Sequence, residues 1–465
     1  MSSQIRDNSE TTMTSAVLHR DTRFIPRKAV GGKGSYLFLE DGTKFLDSTG
    51  GAAVSCLGHG HEKVSQAITD QVKKISYCHT AFFGTEVSEE LARFLVDSTD
   101  GKLSKLYVVS SGSEAIEAAL KLSRQYFLEL PTPQPKRTRF IARKPSYHGI
   151  TLGALGAGGH VHRRQPFEPL LSQNTSHVSP CYAYRGKKDN NESDADYVAR
   201  LADELDAEFQ RVGSDTVCAF IAEPVVGAAL GCVPAVLGYF PAMKAICEKY
   251  GALFILDEVM SGMGRCGTLH AWEQEGIVPD LQAIGKGLGG GYAPVSGLLI
   301  SDRIVQVIDK GSGSFRHGQT YQGHPVSCAA ALAVQKVIKE DGLLDNVRIM
   351  GRYLEMRLKE LLEGHPYVGD IRGKGLFWGI ELVRDKVTKE PFSPEAAVAF
   401  RIQETGLNPE YGMSLYASPG TVDGIRGDHA ILAPPYNVTK EEIDIIVETT
   451  VRVLDAVFDQ VEEVK

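Results

Sequence analysis

The sequence predicts an α/β protein whose main sheet is mostly parallel, and three observations carry that prediction. From about residue 104, short apolar runs alternate with helical patterns, the order that lays helices over both faces of a parallel sheet. One run, Ala252-Leu253-Phe254-Ile255-Leu256, is apolar without a break, as a strand buried on both faces must be. It closes in Asp257-Glu258-Val259, which places Asp257 at the carboxyl end of a strand, where open α/β sheets bind ligands.

Taken in order, residues 1–20 read as a mobile polar leader. Tyr36–Leu39 and Lys44–Asp47 flank Asp41-Gly42, the signature of a β-hairpin. A glycine-rich passage from Gly50 to Gly60 leads to an amphipathic helix over Lys63–Ile75. Strands are expected at Lys105–Val109, Arg139–Ala142, Val217–Ala222, Leu253–Leu256, Leu281–Ile284 and Val295–Ile300. Pro131–Lys136 and Arg185–Asp194 are polar and turn-rich, and are expected to be exposed loops. After a helical stretch at Ala329–Lys339 comes a charged helix over Asn346–Leu362, then glycine-punctuated strands over Asp370–Leu382. An amphipathic helix runs from Lys440 to about Val461. The expected division is 1–65 as leader and part of a small domain, 66–325 as the large domain, and 326–465 as the rest of the small domain.

At 465 residues, 43% hydrophobic and 23% charged, the chain has the composition of a soluble globular protein. Its formal charge of −8 gives no electrostatic pull toward nucleic acid or an anionic membrane. No apolar run approaches the ~20 residues that span a bilayer, and the first residues lack a signal's apolar core. A cytoplasmic protein is the expectation. The eight cysteines are dispersed without a C-x-x-C, and His59-Gly60-His61 lacks the helical spacing of a zinc site, so no metal is expected.

The chemistry gathers around a few segments. Lys286 lies in Gly285-Lys286-Gly287-Leu288-Gly289-Gly290, flanked by glycine on both sides. A carboxylate such as Asp257 for a pyridinium nitrogen, with a lysine for a Schiff base, is what a protein supplies to pyridoxal phosphate; a buried ion pair beside a glycine turn accounts for the same residues. The glycine string also satisfies G-x-G-x-x-G, but that dinucleotide fingerprint must open a helix, and here Pro294 and the apolar run Val295–Ile300 follow. Ser111 and Glu114 have capping-box spacing at the start of a helix, with Gly112 between them. Such a start offers free N–H groups to a phosphate, or is simply a capped helix. Tyr147, in Tyr147-His148-Gly149, is either a ring stacked on a planar cofactor or a core tyrosine.

Together these segments resemble a class III aminotransferase of the fold type I pyridoxal-phosphate enzymes. The matching pieces run in family order: Leu57-Gly58-His59-Gly60-His61, Ser111-Gly112-Ser113-Glu114-Ala115, Tyr147-His148-Gly149, Ala222-Glu223-Pro224, Leu256-Asp257-Glu258-Val259, Gly285-Lys286, Gln319-Thr320-Tyr321 and Ala433-Pro434-Pro435. The resemblance implies a large domain with a seven-stranded-type, mostly parallel sheet, a smaller α+β domain, and pyridoxal 5'-phosphate as cofactor. By the same resemblance Lys286 would carry the cofactor and move the substrate proton, and Asp257 would hold the ring nitrogen protonated. Val259 and Tyr147 would cover the two ring faces. Ser111, Gly112 and Ser113 would cradle the phosphate, and Glu223 would orient near the ring. Thr320 would reach the phosphate in a partner subunit, which implies a homodimer with shared sites.

Two departures bear on substrate. Relatives that act on ornithine or 4-aminobutyrate carry a glutamate five residues after Glu223 and an arginine two before Ala433; here these are Ala228 and Ile431. The chain is in this respect similar to the ω-amine and ω-amino acid:pyruvate aminotransferases, which implies a primary amine or ω-amino compound as donor and a small keto acid such as pyruvate as acceptor. A decarboxylating aminotransferase or an aminomutase would keep the same cofactor residues, and a non-catalytic interaction protein is the alternative of another class. Those ω-enzymes often use a mobile arginine for the acceptor's carboxylate, a role Arg426 could take; a surface pair with Asp428 is the alternative. Gly50-Gly51-Ala52-Ala53 supplies small residues where many of these relatives place a tryptophan or other bulky group, which by the resemblance implies room for a large amine.

Overall fold

In the computed structural model, which describes residues 15–189 and 191–462, seven strands form the main sheet. Their spatial order is Lys105–Val109, Ser296–Ile300, Leu281–Ile284, Leu253–Asp257, Val217–Ala222, Arg139–Arg143 and Thr175–Val178. Ser296–Ile300 runs antiparallel to both its neighbours, and the other pairs are parallel. The unbroken apolar run of Leu253–Leu256 has a direct cause. Leu253 and Ile255 pack with Ala115, Ala119 and Ile304 on one face, while Phe254 and Leu256 pack with Phe220, Phe240 and Leu205 on the other. Each side chain so buried contributes about 1.5–3 kcal/mol.

A second sheet is antiparallel, in the order Val368–Lys374, Phe377–Leu382, Asp428–Leu432, Tyr416–Pro419. Gly375, at φ +56°, makes its first hairpin turn, and a Cβ there would lie 2.7 Å from the Arg265 carbonyl oxygen. Helices Leu343–Leu362, Val398–Gly406 and Lys440–Glu462 accompany this sheet.

The N-terminal hairpin forms as expected, from Tyr36–Leu39 and Lys44–Leu46 with Gly42 at φ +83°. It docks on the far end of the chain. The Leu46 N–H donates to the Gly412 carbonyl at 2.8 Å, and Leu46, Cys56, Leu57 and Val64 share one core with Val334, Leu354, Trp378, Ile446 and Phe458.

Two features add to the sequence expectation and one differs from it. Thr175–Val178 is an edge strand that its polar sequence conceals. Ser296–Ile300 is antiparallel, a direction that apolar patterning does not encode. The stretch Arg185–Asp194 is not simply an exposed loop, because Arg185 points inward. Its Nε donates to Glu381 at 2.6 Å, and Glu381 also receives Arg372 Nη1 at 2.5 Å and the Tyr182 hydroxyl. This buried cluster joins the main sheet's flank to the second sheet. Residues 1–14 of the expected leader lie outside the described residues.

Candidate active site

Strands Leu253–Asp257 and Leu281–Ile284 are parallel neighbours with Asp257 opposite Ala283. Lys286 opens the short turn Lys286–Leu288 just beyond, so the carboxylate and the lysine share the carboxyl edge of the sheet. The chain enters no long helix there, and the next strand follows at Ser296. Lys286 adopts φ +46°, a left-handed conformation that costs a non-glycine residue roughly 1–2 kcal/mol. The surroundings hold it. Gln335 Nε2 donates to the carbonyls of Gly287 at 3.0 Å and Leu288 at 2.9 Å, and the Cys56 thiol donates to Gly287 at 3.4 Å. Burial brings the Lys286 ammonium down to about 8; the charges of Asp257 and Glu223 oppose that fall, and those of Arg163 and Arg265 add to it.

Asp257 is buried and fixed at both oxygens. Oδ1 accepts the Val259 N–H at 3.0 Å, and Oδ2 lies 2.8 Å from His148 Nδ1. His148 Nε2 has no hydrogen-bond partner among the described residues and is sealed from solvent. Glu223 is buried too. It accepts the Tyr147 N–H at 3.0 Å and the Gly227 N–H at 3.2 Å, which locks the turn bearing the Tyr147 ring. Burial raises the Glu223 carboxyl, and the nearby Asp257 charge raises it further, while His148 opposes. Glu258, the next residue after Asp257, is lifted to about 8 by burial although it accepts the N–H groups of Ala271 and Trp272 and an amide hydrogen of Gln282.

The helix start expected to cradle a phosphate is a complete capping box. Ser111 Oγ accepts the Glu114 N–H, and Glu114 Oε2 accepts the N–H groups of Ser110 and Ser111. The first N–H groups of helix Gly112–Glu129 have no intrahelical acceptor. A Cβ on Gly112 would stand 2.9 Å from Val259 Cγ1, so glycine lets the helix start close on that valine. Ser113 Oγ accepts the Ile150 N–H at 3.0 Å and fixes the turn after Tyr147. Lys286, Asp257, Val259, Gly112, Ser113, Tyr147 and Glu223 thus converge, whereas Ser111 caps the helix from outside.

Two expected residues lie elsewhere. Thr320 is exposed in this chain, its carbonyl accepting the Tyr77 hydroxyl at 3.0 Å. Arg426 pairs with Asp423 at 2.7 Å, not with Asp428, and borders a cavity of about 440 Å³ with Arg384, Phe392 and Arg401, away from Lys286. The two positions from which the sequence reads substrate preference fall in one cluster. Ala228 and Ile431 are buried in one apolar cluster with Ala53, Met260, Phe377 and Ala433.

Sequence reasoning missed two residues. His148 sits in the motif that supplied Tyr147, but its partner Asp257 is 109 residues away, beyond any local pattern. Arg163, in helix Val161–Arg164, stands with its guanidinium carbon 4.8 Å from the centre of the Tyr147 ring, and its short helix gave no signal. Among the described residues no group of three or more His, Cys, Asp or Glu side chains could hold a metal, and all eight cysteines are free.

Comparison with known proteins gives the family. The family model of class-III aminotransferases matches residues 17–454. An aminotransferase of Gibberella zeae is 52% identical over 423 residues, covering 91% of this chain and 82% of its own. Among solved structures, an (S)-enantioselective ω-transaminase from Thermomicrobium roseum superposes with TM-score 0.88 at 35% identity, over 96% of each chain. The ω-transaminase of Pseudomonas jessenii in complex with PMP gives 0.89 at 30% identity, over 97% of each chain.

Proposed function

The chain belongs to the class-III aminotransferase family and is an enzyme, and from that premise we propose that it moves an amino group from a primary amine or ω-amino compound to a small keto acid such as pyruvate. The observation that carries the reading is the pairing of Lys286, its ammonium brought down to about 8, with a buried and doubly anchored Asp257 on one edge of the sheet.

The residues present fit pyridoxal 5'-phosphate. Asp257 offers a fixed negative charge to a ring nitrogen, Val259 and Tyr147 are set to cover the ring faces, and the helix start at Gly112 and Ser113 suits the phosphate. When bound, the cofactor supplies the electron sink and the carrier for the amino group. The protein does the rest. Lys286, whose amine is in part neutral near pH 8, takes a proton from the amine-bearing carbon of the donor and returns one to the acceptor's carbonyl carbon. His148 holds Asp257 Oδ2, so the carboxylate keeps its aim. Glu223 fixes the turn that carries Tyr147.

We read Ala228 and Ile431 as an apolar wall of the site and take substrate preference from it. These positions hold no charge for an α-carboxylate, and Ala53 adds a small side chain to the same cluster. A bulky amine suits such a wall. We further propose a homodimer in the cytoplasm, in which Thr320 reaches the partner's phosphate. The exposure of Tyr321, Phe82 and Phe83 near that loop supports a covering surface.

The test is a complete turnover. With cofactor loaded, an amine donor such as 1-phenylethylamine, with pyruvate as acceptor, should yield alanine without carbon dioxide, by ping-pong kinetics. Borohydride reduction of the loaded protein should fix the cofactor to Lys286, and Lys286→Ala should lose transfer. With an α-amino acid as donor, release of its carboxylate as carbon dioxide would favour a decarboxylating aminotransferase; with an amino ketone, migration of the amino group within the molecule would favour an aminomutase; and a label on another lysine would overturn the site.

A further inference from the structure

A wall without charge on one side of the site leaves open which group receives the carboxylate of a keto acid. We propose that Arg163 receives it. This rests on the transamination reading above and names the acceptor-recognition residue within it.

The other cations around the site are spent or out of reach. Arg265 is fully buried, stacked on Tyr436, with Nη1 donating to the carbonyls of Leu376 at 3.0 Å and Pro434 at 2.6 Å, so no substrate reaches it. Arg372 is neutralised by Glu381 and Asp370. Arg316 borders a separate cavity of about 720 Å³ with Lys121 and Arg124. Arg426 is paired with Asp423. Arg163 differs from all of these. It is half-buried, and its guanidinium makes no hydrogen bond or ion pair with any described residue; its contact is the face of Tyr147, 4.8 Å from the ring centre. Stacking leaves the edge of the guanidinium, with its fork of N–H donors, open for a planar carboxylate.

Placement favours the role. Tyr147 is anchored by Glu223, whose charge, like that of Asp257, is felt at Lys286, so a cation stacked on the Tyr147 ring stands beside the site. Its charge is felt at Lys286, where it helps hold the ammonium down. The next residue, Arg164, is spent on structure: Nη1 donates to the carbonyls of Leu155, Gly156 and Gly158, and Nε pairs with Glu168. That clamp holds the short helix and thereby aims Arg163. On the other side, Gly424 of the loop that carries Arg426 packs on Val161, where a Cβ would lie 2.6 Å from the valine Cβ. The loop's glycine presses on the helix while Arg426 itself faces away.

A carboxylate held by a free guanidinium gains a charge-assisted bidentate bond, and an acceptor without a carboxylate does not. The experiment compares pyruvate with propanal as acceptors, using one amine donor, in the cofactor-loaded protein. For Arg163→Ala the ratio of kcat/KM for pyruvate to that for propanal should fall by about 10- to 150-fold, the range expected for a lost hydrogen bond to a charged group. Arg163→Lys, which keeps the charge but not the fork, should lie between. Arg426→Ala, and Arg20→Ala in the exposed N-terminal segment, should leave the ratio at the wild-type value. A ratio that falls in Arg426→Ala or Arg20→Ala but not in Arg163→Ala overturns the proposal, as does an equal loss for both acceptors in Arg163→Ala and Arg163→Lys, which would make the residue a prop for Tyr147. Failure of the wild-type protein to transfer an amino group to either acceptor would instead sink the transamination reading, and this inference with it.

Discussion

Gly112→Ala should weaken cofactor binding through Val259, and the structure sets the size of the effect. Gly112 is the first residue of its helix and is not among the glycines with positive φ, so alanine meets no backbone strain and gains at most about 1 kcal/mol of helix propensity. Its Cβ, however, would stand 2.9 Å from Val259 Cγ1 and 3.0 Å from Cγ2, against the 3.5–4.0 Å of a normal carbon contact. Val259 cannot simply retreat, because its N–H is held by Asp257 Oδ1 at 3.0 Å. Overpacking of this kind costs about 1–3 kcal/mol, a loss of roughly 5- to 150-fold if it falls on the bound state. Titrating cofactor-free protein with pyridoxal phosphate and following visible absorbance measures it. In a Val259→Ala background the clashing methyls are gone, and Gly112→Ala should then cost little. The same loss in both backgrounds would refute the clash as its cause.

Two further outcomes follow from burial. Lys286 has a folded pKa of about 8, below the value of about 10.5 it recovers when unfolded, so between those pH values the unfolded chain binds more protons and this group's contribution to stability rises with pH. Urea denaturation of cofactor-free protein should therefore show wild type gaining up to about 3 kcal/mol on Lys286→Met between pH 8 and 10.5; parallel curves would show a solvated lysine. Ala228→Glu places a lone carboxylate in an apolar cluster and should lower Tm, while adding Ile431→Arg, in the same cluster, should recover much of the loss; additive losses would mean that the two positions do not meet.

What the sequence made legible was local or periodic. Runs such as Val217–Ala222 and Leu253–Leu256 announce buried strands because both their faces are covered, and Ser111 and Glu114 announce a helix start because the cap spans three residues. Asp257 and Lys286 could be paired because each follows its own strand. The rest depended on distant partners. Nothing near His148 points to Asp257, and nothing near Arg163 points to Tyr147. Arg185 reads as part of a polar loop until Glu381, 196 residues later, arrives beside it. Strand direction was equally hidden, since Ser296–Ile300 would have the same apolar pattern either way round.

The docking of the N-terminal hairpin on the C-terminal core sets a timetable for synthesis. Ser48 Oγ finds its acceptor at Ser414, 366 residues further on, and Leu46, Leu57 and Val64 are buried against residues between Val334 and Phe458. At about 5–20 residues per second of translation, those first apolar side chains emerge some 20–70 s before their partners exist. The strands from Lys105 to Ile300 can meet in that interval, so the sheet bearing Lys286 can assemble while the front of the chain still waits. A ribosome-associated chaperone would find its binding segment there, around Phe45–Val64, and its release would be timed by the arrival of the last helix.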